Sequence, residues 1–190
     1  MRVKISPKYN PKTEKEYCCV PAVIQMIQGR RGFNYASQDE IGYQLGLIVP
    51  TEKARFFTKV RTGSMPKAGW GTQTSKKQFS INKYFERNNL PLKLTKYNPQ
   101  KIKNISNFII DNLRDNNDVI ICYNSQILFG DGDIEHVSLI QEIEDDKLII
   151  IDPAQKVLKV RKTTVKKLSD TLNLHDISNM GGFWIVKNNN

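Results

Sequence analysis

The sequence predicts an α+β domain in which an N-terminal helical half packs against a C-terminal antiparallel β-sheet half. Three observations carry this prediction. Val20, Val23, Ile24, Met26 and Ile27 follow Cys19 at the 3.6-residue spacing of a buried helix. The apolar runs His136-Val137-Ser138-Leu139-Ile140 and Leu148-Ile149-Ile150-Ile151 flank the turn-forming Glu144-Asp145-Asp146-Lys147, the pattern of a hairpin. Helical patterns dominate the first part of the chain, about 1–115, and strand patterns the remainder, about 116–187. At 190 residues, 39% hydrophobic, the chain is long enough to bury one core, so a single domain over 1–190 is expected.

The elements follow in order. Pro21 suits the first turn of a helix, where its missing N–H costs nothing, so the first helix starts at or beside Cys19. Ser37-x-x-Glu40 is a capping box before Ile41 and Leu45, which places a second helix from about Gln38 to Leu45, stopping near Gly46. The turn-rich stretch from Thr62 to Thr72 is a loop. Ser75 to Asn88 is helical, burying Phe79, Tyr84 and Phe85, and Ile105 to Leu113 is a further helix. Leu92-Lys93-Leu94 is a short strand and Val119-Ile120-Ile121-Cys122-Tyr123 a central one. After the hairpin, Val157-Leu158-Lys159-Val160 alternates as a strand, and Gly182-Phe183-Trp184-Ile185-Val186 closes the sheet, with Trp184 in the core.

Cys19 is the candidate nucleophile. The unpaired N–H groups of a helix's first turn favour a thiolate, which would lower a thiol from about 8.5. Two antiparallel strands of similar length set the start of one beside the end of the other, so His136 and Asp152 are expected as neighbours at one sheet edge. A carboxylate there would hold the imidazole in one tautomer and turn its other nitrogen toward the thiol. Cys18 and Cys122 read as packing residues, and His175 as a surface or capping residue.

Cys19-Val20-Pro21-Ala22 resembles the Cys-Gly-Pro-Ala signature of the C39-like, papain-fold cysteine peptidases. His136 and Asp152-Pro153 match that family's His strand and Asp-Pro strand, and the likeness covers most of the chain. It implies a papain-like fold and a catalytic triad of Cys19, His136 and Asp152 acting through a thioester on a peptide or protein substrate. Two positions depart from the pattern. Val20 stands where the family has Gly, and 10–15 lack the glutamine that papain-like enzymes carry about six residues before the nucleophile. Thr13, Asn10 and the backbone N–H of Cys19 are the oxyanion candidates. Acyl transfer to an amine, as in phytochelatin-synthase-type papain folds, and a catalytically silent peptide-binding domain are the alternatives within this fold.

Gly130-Asp131-Gly132-Asp133 is expected at the rim of the cleft, making Asp131 and Asp133 substrate-cleft candidates, with Trp70 as an opposing wall. The acidic stretch Asp131 to Asp146 suggests a basic or amine-bearing substrate. A net charge of +10 would attract nucleic acid. The lysines are spread over several segments and no nucleic-acid motif accompanies them, so a solvated basic surface is the preferred reading. No cofactor and no metal are expected: there is no Cys-x-x-Cys, and Cys18 and Cys19 are adjacent. Three cysteines without an apolar signal segment point to reduced thiols and a cytoplasmic protein; export without a cleavable signal stays open, as does the oligomeric state.

Overall fold

A computed structural model describes residues 1–131, 135–174 and 181–189, without the side chains of 173 and 174. Among the described residues the α-helices are Cys19–Arg30 (α1), Gln38–Gln44 (α2), Ile81–Arg87 (α3), Ile105–Arg114 (α4), Ser125–Phe129 (α5) and Val165–Leu174 (α6). The strands are Arg2–Lys4 (β1), Ile48–Val49 (β2), Arg61–Thr62 (β3), Leu92–Tyr97 (β4), Asp118–Tyr123 (β5), His136–Glu144 (β6), Lys147–Ile151 (β7), Val160–Thr164 (β8) and Gly182–Asn188 (β9).

The main sheet has the order β4-β9-β5-β6-β7-β8, and its pairs are antiparallel. β5 lies centrally because Asp118–Tyr123 is buried on both faces, as its continuous apolar run requires. β6 is long enough to serve two partners along one edge. Its first residues pair with β5, from Tyr123↔His136 to Val119↔Ile140, and its last three pair with β1. A register shift between Ile140 and Glu142 marks the change, and the Ile5 N–H donates to the Gln141 carbonyl there at 3.0 Å. A two-stranded parallel pair, β2 and β3, stands apart from this sheet.

α1 is buried almost throughout, including Gln25, Gln28 and Arg30. Its polar side chains are satisfied. Gln25 donates to the Ala36 carbonyl at 2.7 Å, and Arg30 pairs with the fully buried Asp118 at 2.7 Å. α2 begins as its sequence predicts, with the Ser37 hydroxyl accepting from the Glu40 N–H at 3.2 Å. A single core joins Ile24 and Ile27 of α1 to Ile121, Leu139 and Ile150 of the sheet and to Trp184 of β9.

Several boundaries differ from expectation. The helix expected from Ser75 starts only at Ile81, behind the Ser80 cap, with a 3₁₀ turn over Lys77–Phe79 before it. The strand expected at Val157 starts at Val160, because the Asp152 N–H bonds the Lys159 carbonyl and the intervening residues form a turn. The N-terminus is not part of a purely helical half: β1 belongs to the sheet. His175 and Asp133 lie outside the described residues.

Candidate active site

Three segments meet at the start of α1. The chain enters the helix through Tyr17 at φ 66°, a left-handed conformation costing on the order of 1–2 kcal/mol for a non-glycine residue. The neighbouring loop passes beside this turn at Gly71, where φ is +117° and an added Cβ would lie 3.8 Å from the Tyr17 carbonyl oxygen, an ordinary contact. Trp70, next to Gly71, is half-buried in that loop. Cys19 is the first residue of α1 and is partly exposed, whereas Cys18 is fully buried against Leu47 and Val49.

His136 heads β6 and is buried beside Tyr123, the residue paired with it across β5, with ring centroids 5.9 Å apart. Asp152 follows β7 directly and is 0% exposed. His136 Nε2 and Asp152 Oδ1 are 2.7 Å apart. Burial pushes the Asp152 carboxyl up. The bond from His136, that ring's charge, the Ala154 N–H and Arg161 outweigh burial and hold it below the ordinary carboxylate value. An ionised carboxylate only accepts, so Nε2 carries the hydrogen of this bond. Arg161 Nη1 lies 3.2 Å from Asp152 Oδ2, and the same guanidinium forks onto Asp131 at 2.8 and 2.9 Å. Asp131 is thereby tied to the site through Arg161.

The third segment is unexpected. The donor atoms of Glu14, Cys19 and His136 all lie within 4.8 Å of one another. Glu14 is 8% exposed, and its N–H donates to the Pro153 carbonyl at 2.8 Å, which fastens it beside Asp152. α2 secures it from the other side. The Lys15 N–H donates to Gln38 Oε1 at 2.7 Å, Gln38 Nε2 donates to the Thr13 carbonyl at 2.9 Å, and Lys15 Nζ pairs with Asp39. Thr13 and Asn10, the side chains expected near an oxyanion, are both exposed, and Glu14 is the member of that stretch turned inward.

This carboxylate changes the electrostatics. The helix start predicts a lowered thiol pKa, yet Cys19 is pushed well above the ordinary value, first by burial, then by Glu14 and Cys122. The Val20 N–H pulls downward and is outweighed. Cys19 therefore holds its proton at neutral pH in the resting protein. Cys18 and Cys122 are each pushed up to about 12 by burial, which fits packing roles.

Glu14, Arg161 and Tyr123 are the residues that the sequence reading missed. Glu14 had a signal, being the one acidic residue in the stretch searched for an amide, five positions before Cys19. Arg161 and Tyr123 had none. The acidic stretch after Asp131 is also divided. Glu142 and Glu144 sit at the turn end of β6, roughly 20 Å or more along the strand from His136. Glu142 is occupied by Arg2 at 2.6 Å. Among the described residues the stretch forms no continuous acidic rim at the site.

No protein-family model matches the sequence, and no curated protein matches it. Solved structures do match in fold. The peptidase domain of Streptococcus ComA, a bi-functional ABC transporter involved in a quorum sensing pathway, superposes with a TM-score of 0.55 at 14% identity, covering 95% of this chain and 96% of that one. A Bacillus anthracis protein described as a C39-like peptidase gives a TM-score of 0.61 at 13% identity over 98% of this chain and 96% of that one. No helix among the described residues is long and apolar enough to cross a membrane. With its helices and its antiparallel sheet, this chain has the fold of the C39 peptidase domains.

Proposed function

We propose that this chain is a cysteine hydrolase of amide bonds, with a peptide or protein as substrate. The observation that supports it is His136, held by an ionised, buried Asp152 at 2.7 Å and within 4.8 Å of the Cys19 sulfur. In this reading His136 takes the thiol proton as sulfur attacks the carbonyl carbon. The imidazolium, stabilised by Asp152, returns that proton to the departing amine, leaving a thioester on Cys19. Water, activated by the same imidazole, then releases the acid. An amine arriving in place of water would make the site an acyltransferase.

Because Cys19 is a thiol at rest, deprotonation accompanies attack and is not completed before it. Glu14 works against the oxyanion when ionised and can donate to it only when protonated. The Cys19 N–H at the start of α1 is the backbone donor on this side of the site. The same Glu14 favours a second reading, a peptide-binding domain of this fold that has lost turnover.

p-Nitrophenyl acetate separates the two. The hydrolase reading expects a burst of p-nitrophenolate and an acetyl adduct on Cys19 by mass mapping, absent in Cys19→Ser and at least about 10-fold slower in His136→Ala. An unmodified Cys19 after prolonged exposure would leave only the binding domain.

A further inference from the structure

We infer that Glu14, Cys19 and His136 form a zinc site, in which one Zn²⁺ takes a carboxylate oxygen, a thiolate sulfur and an imidazole nitrogen. The three donor atoms already lie within 4.8 Å of one another. Ligands around a tetrahedral zinc, at bond lengths of about 2.0–2.3 Å, stand about 3.3–3.8 Å apart. The site needs a contraction of at most about 1.5 Å, within reach of side-chain rotation in Glu14 and Cys19.

The donor chemistry selects the ion. A thiolate, an imidazole and a carboxylate suit zinc, while Mg²⁺ and Ca²⁺ prefer oxygen alone. Three protein ligands leave the fourth tetrahedral position to water. The support expected around a zinc-bound histidine is present, since Asp152 bonds Nε2 at 2.7 Å, leaving Nδ1 for the metal, and is itself held by Ala154 and Arg161. The backbone around Glu14 is fixed as well, its own N–H donating to the Pro153 carbonyl and its neighbours Lys15 and Thr13 bonding Gln38.

Charge points the same way. The thiolate that metal binding leaves on Cys19 stands beside the Glu14 carboxylate, a like-charge pair that the divalent cation itself neutralises. Binding releases one proton, from Cys19, and forms Zn–S, Zn–N and Zn–O bonds with no change of oxidation state. The donors come from a loop, a helix start and a strand, so no Cys-x-x-Cys spacing announces them. Affinity stands on this geometry alone. A consequence that rests on the hydrolase reading is that bound zinc withholds the sulfur and the imidazole and silences the enzyme reversibly.

The test is calorimetric titration of Zn²⁺ into the chelator-treated full chain under a non-chelating reductant, with Mg²⁺ as control. One Zn²⁺ per chain is expected, with Kd at or below the micromolar range. Glu14→Gln, Cys19→Ser and His136→Ala should each weaken it at least about 10-fold, and Asp152→Asn about 10- to 100-fold. Co²⁺ should give a thiolate-to-metal charge-transfer band in the wild-type chain, a readout that needs no variant to fold. Binding no tighter than millimolar, equal competition by Mg²⁺, or affinity indifferent to Cys19→Ser or to Glu14→Gln would overturn the site. Acetylation of the metal-free protein by p-nitrophenyl acetate is scored separately, so the zinc site can fail while the hydrolase stands, and the reverse.

Discussion

The carboxylate of Glu14 lies within 4.8 Å of the Cys19 sulfur, on a residue five positions upstream whose backbone N–H donates to the Pro153 carbonyl. A thiol that must lose its proton to react is thereby placed beside a group that, when ionised, opposes the loss. After burial, Glu14 is the strongest influence raising the Cys19 pKa. In the proposed reaction this one side chain, as well as the helix that Cys19 begins, acts on the thiol proton.

Replacing Glu14 by Gln keeps the shape and removes the charge. Iodoacetamide labelling of Cys19 at pH 7.5 in metal-free protein is expected to rise about 10-fold, the effect of one pKa step on the thiolate fraction. An unchanged rate would show that burial alone sets the thiol.

Arg161 joins Asp131 to Asp152 and stacks over Phe129, its guanidinium carbon 3.6 Å from the ring centroid. Arg161→Leu removes a charged hydrogen bond from a buried carboxylate and should lower stability by about 1.5–3 kcal/mol in urea denaturation. Acetylation of Cys19 should slow with it, because Asp152 loses one of the contacts that fix it. Full retention of both would place Arg161 outside the working site.

Asp39 governs an acid limb of stability. Burial pushes its carboxyl up, but Lys15 and the backbone and hydroxyl of Thr58 outweigh this and hold it below 3.8. A group whose folded value is depressed contributes stability above its unfolded value, about 3.9, and loses it as pH falls through the folded value. Asp39→Asn should therefore unfold at lower temperature than wild type at pH 6, with the gap narrowing below about pH 4. A gap that persisted unchanged at low pH would contradict this.

Cys18→Ala should leave Cys19 acetylation intact while costing stability, since Cys18 is fully buried with Leu47 and Val49. Loss of acetylation in a folded Cys18→Ala protein would exchange the roles of the two cysteines.

The parts of the fold legible in the sequence are those specified by local pattern. Cys19 opens α1 because Pro21 and the apolar spacing after it act within one helix, and β6 with β7 is written in two apolar runs and one turn. His136 and Asp152 meet because hairpin geometry leaves little choice. Glu14 was missed because its place in the fold is set by Pro153, which accepts from its N–H, and by Gln38, which bonds the backbone of Lys15 and Thr13 on either side of it, both remote in sequence. β1 is three residues long and exists through β6, so no periodicity could reveal it. The Val157-to-Val160 alternation misled because Lys159 is drawn into a turn on Asp152 before the strand begins.

The central claim is that the Cys19 proton passes to His136. Its most direct measurement is the iodoacetamide labelling rate of Cys19 in the metal-free chain at pH 7.5, compared between wild type and His136→Ala. The account predicts labelling at Cys19 in preference to Cys18, slowed at least about 10-fold when the imidazole is removed. Equal rates in the two proteins, or labelling that favours Cys18, would contradict it.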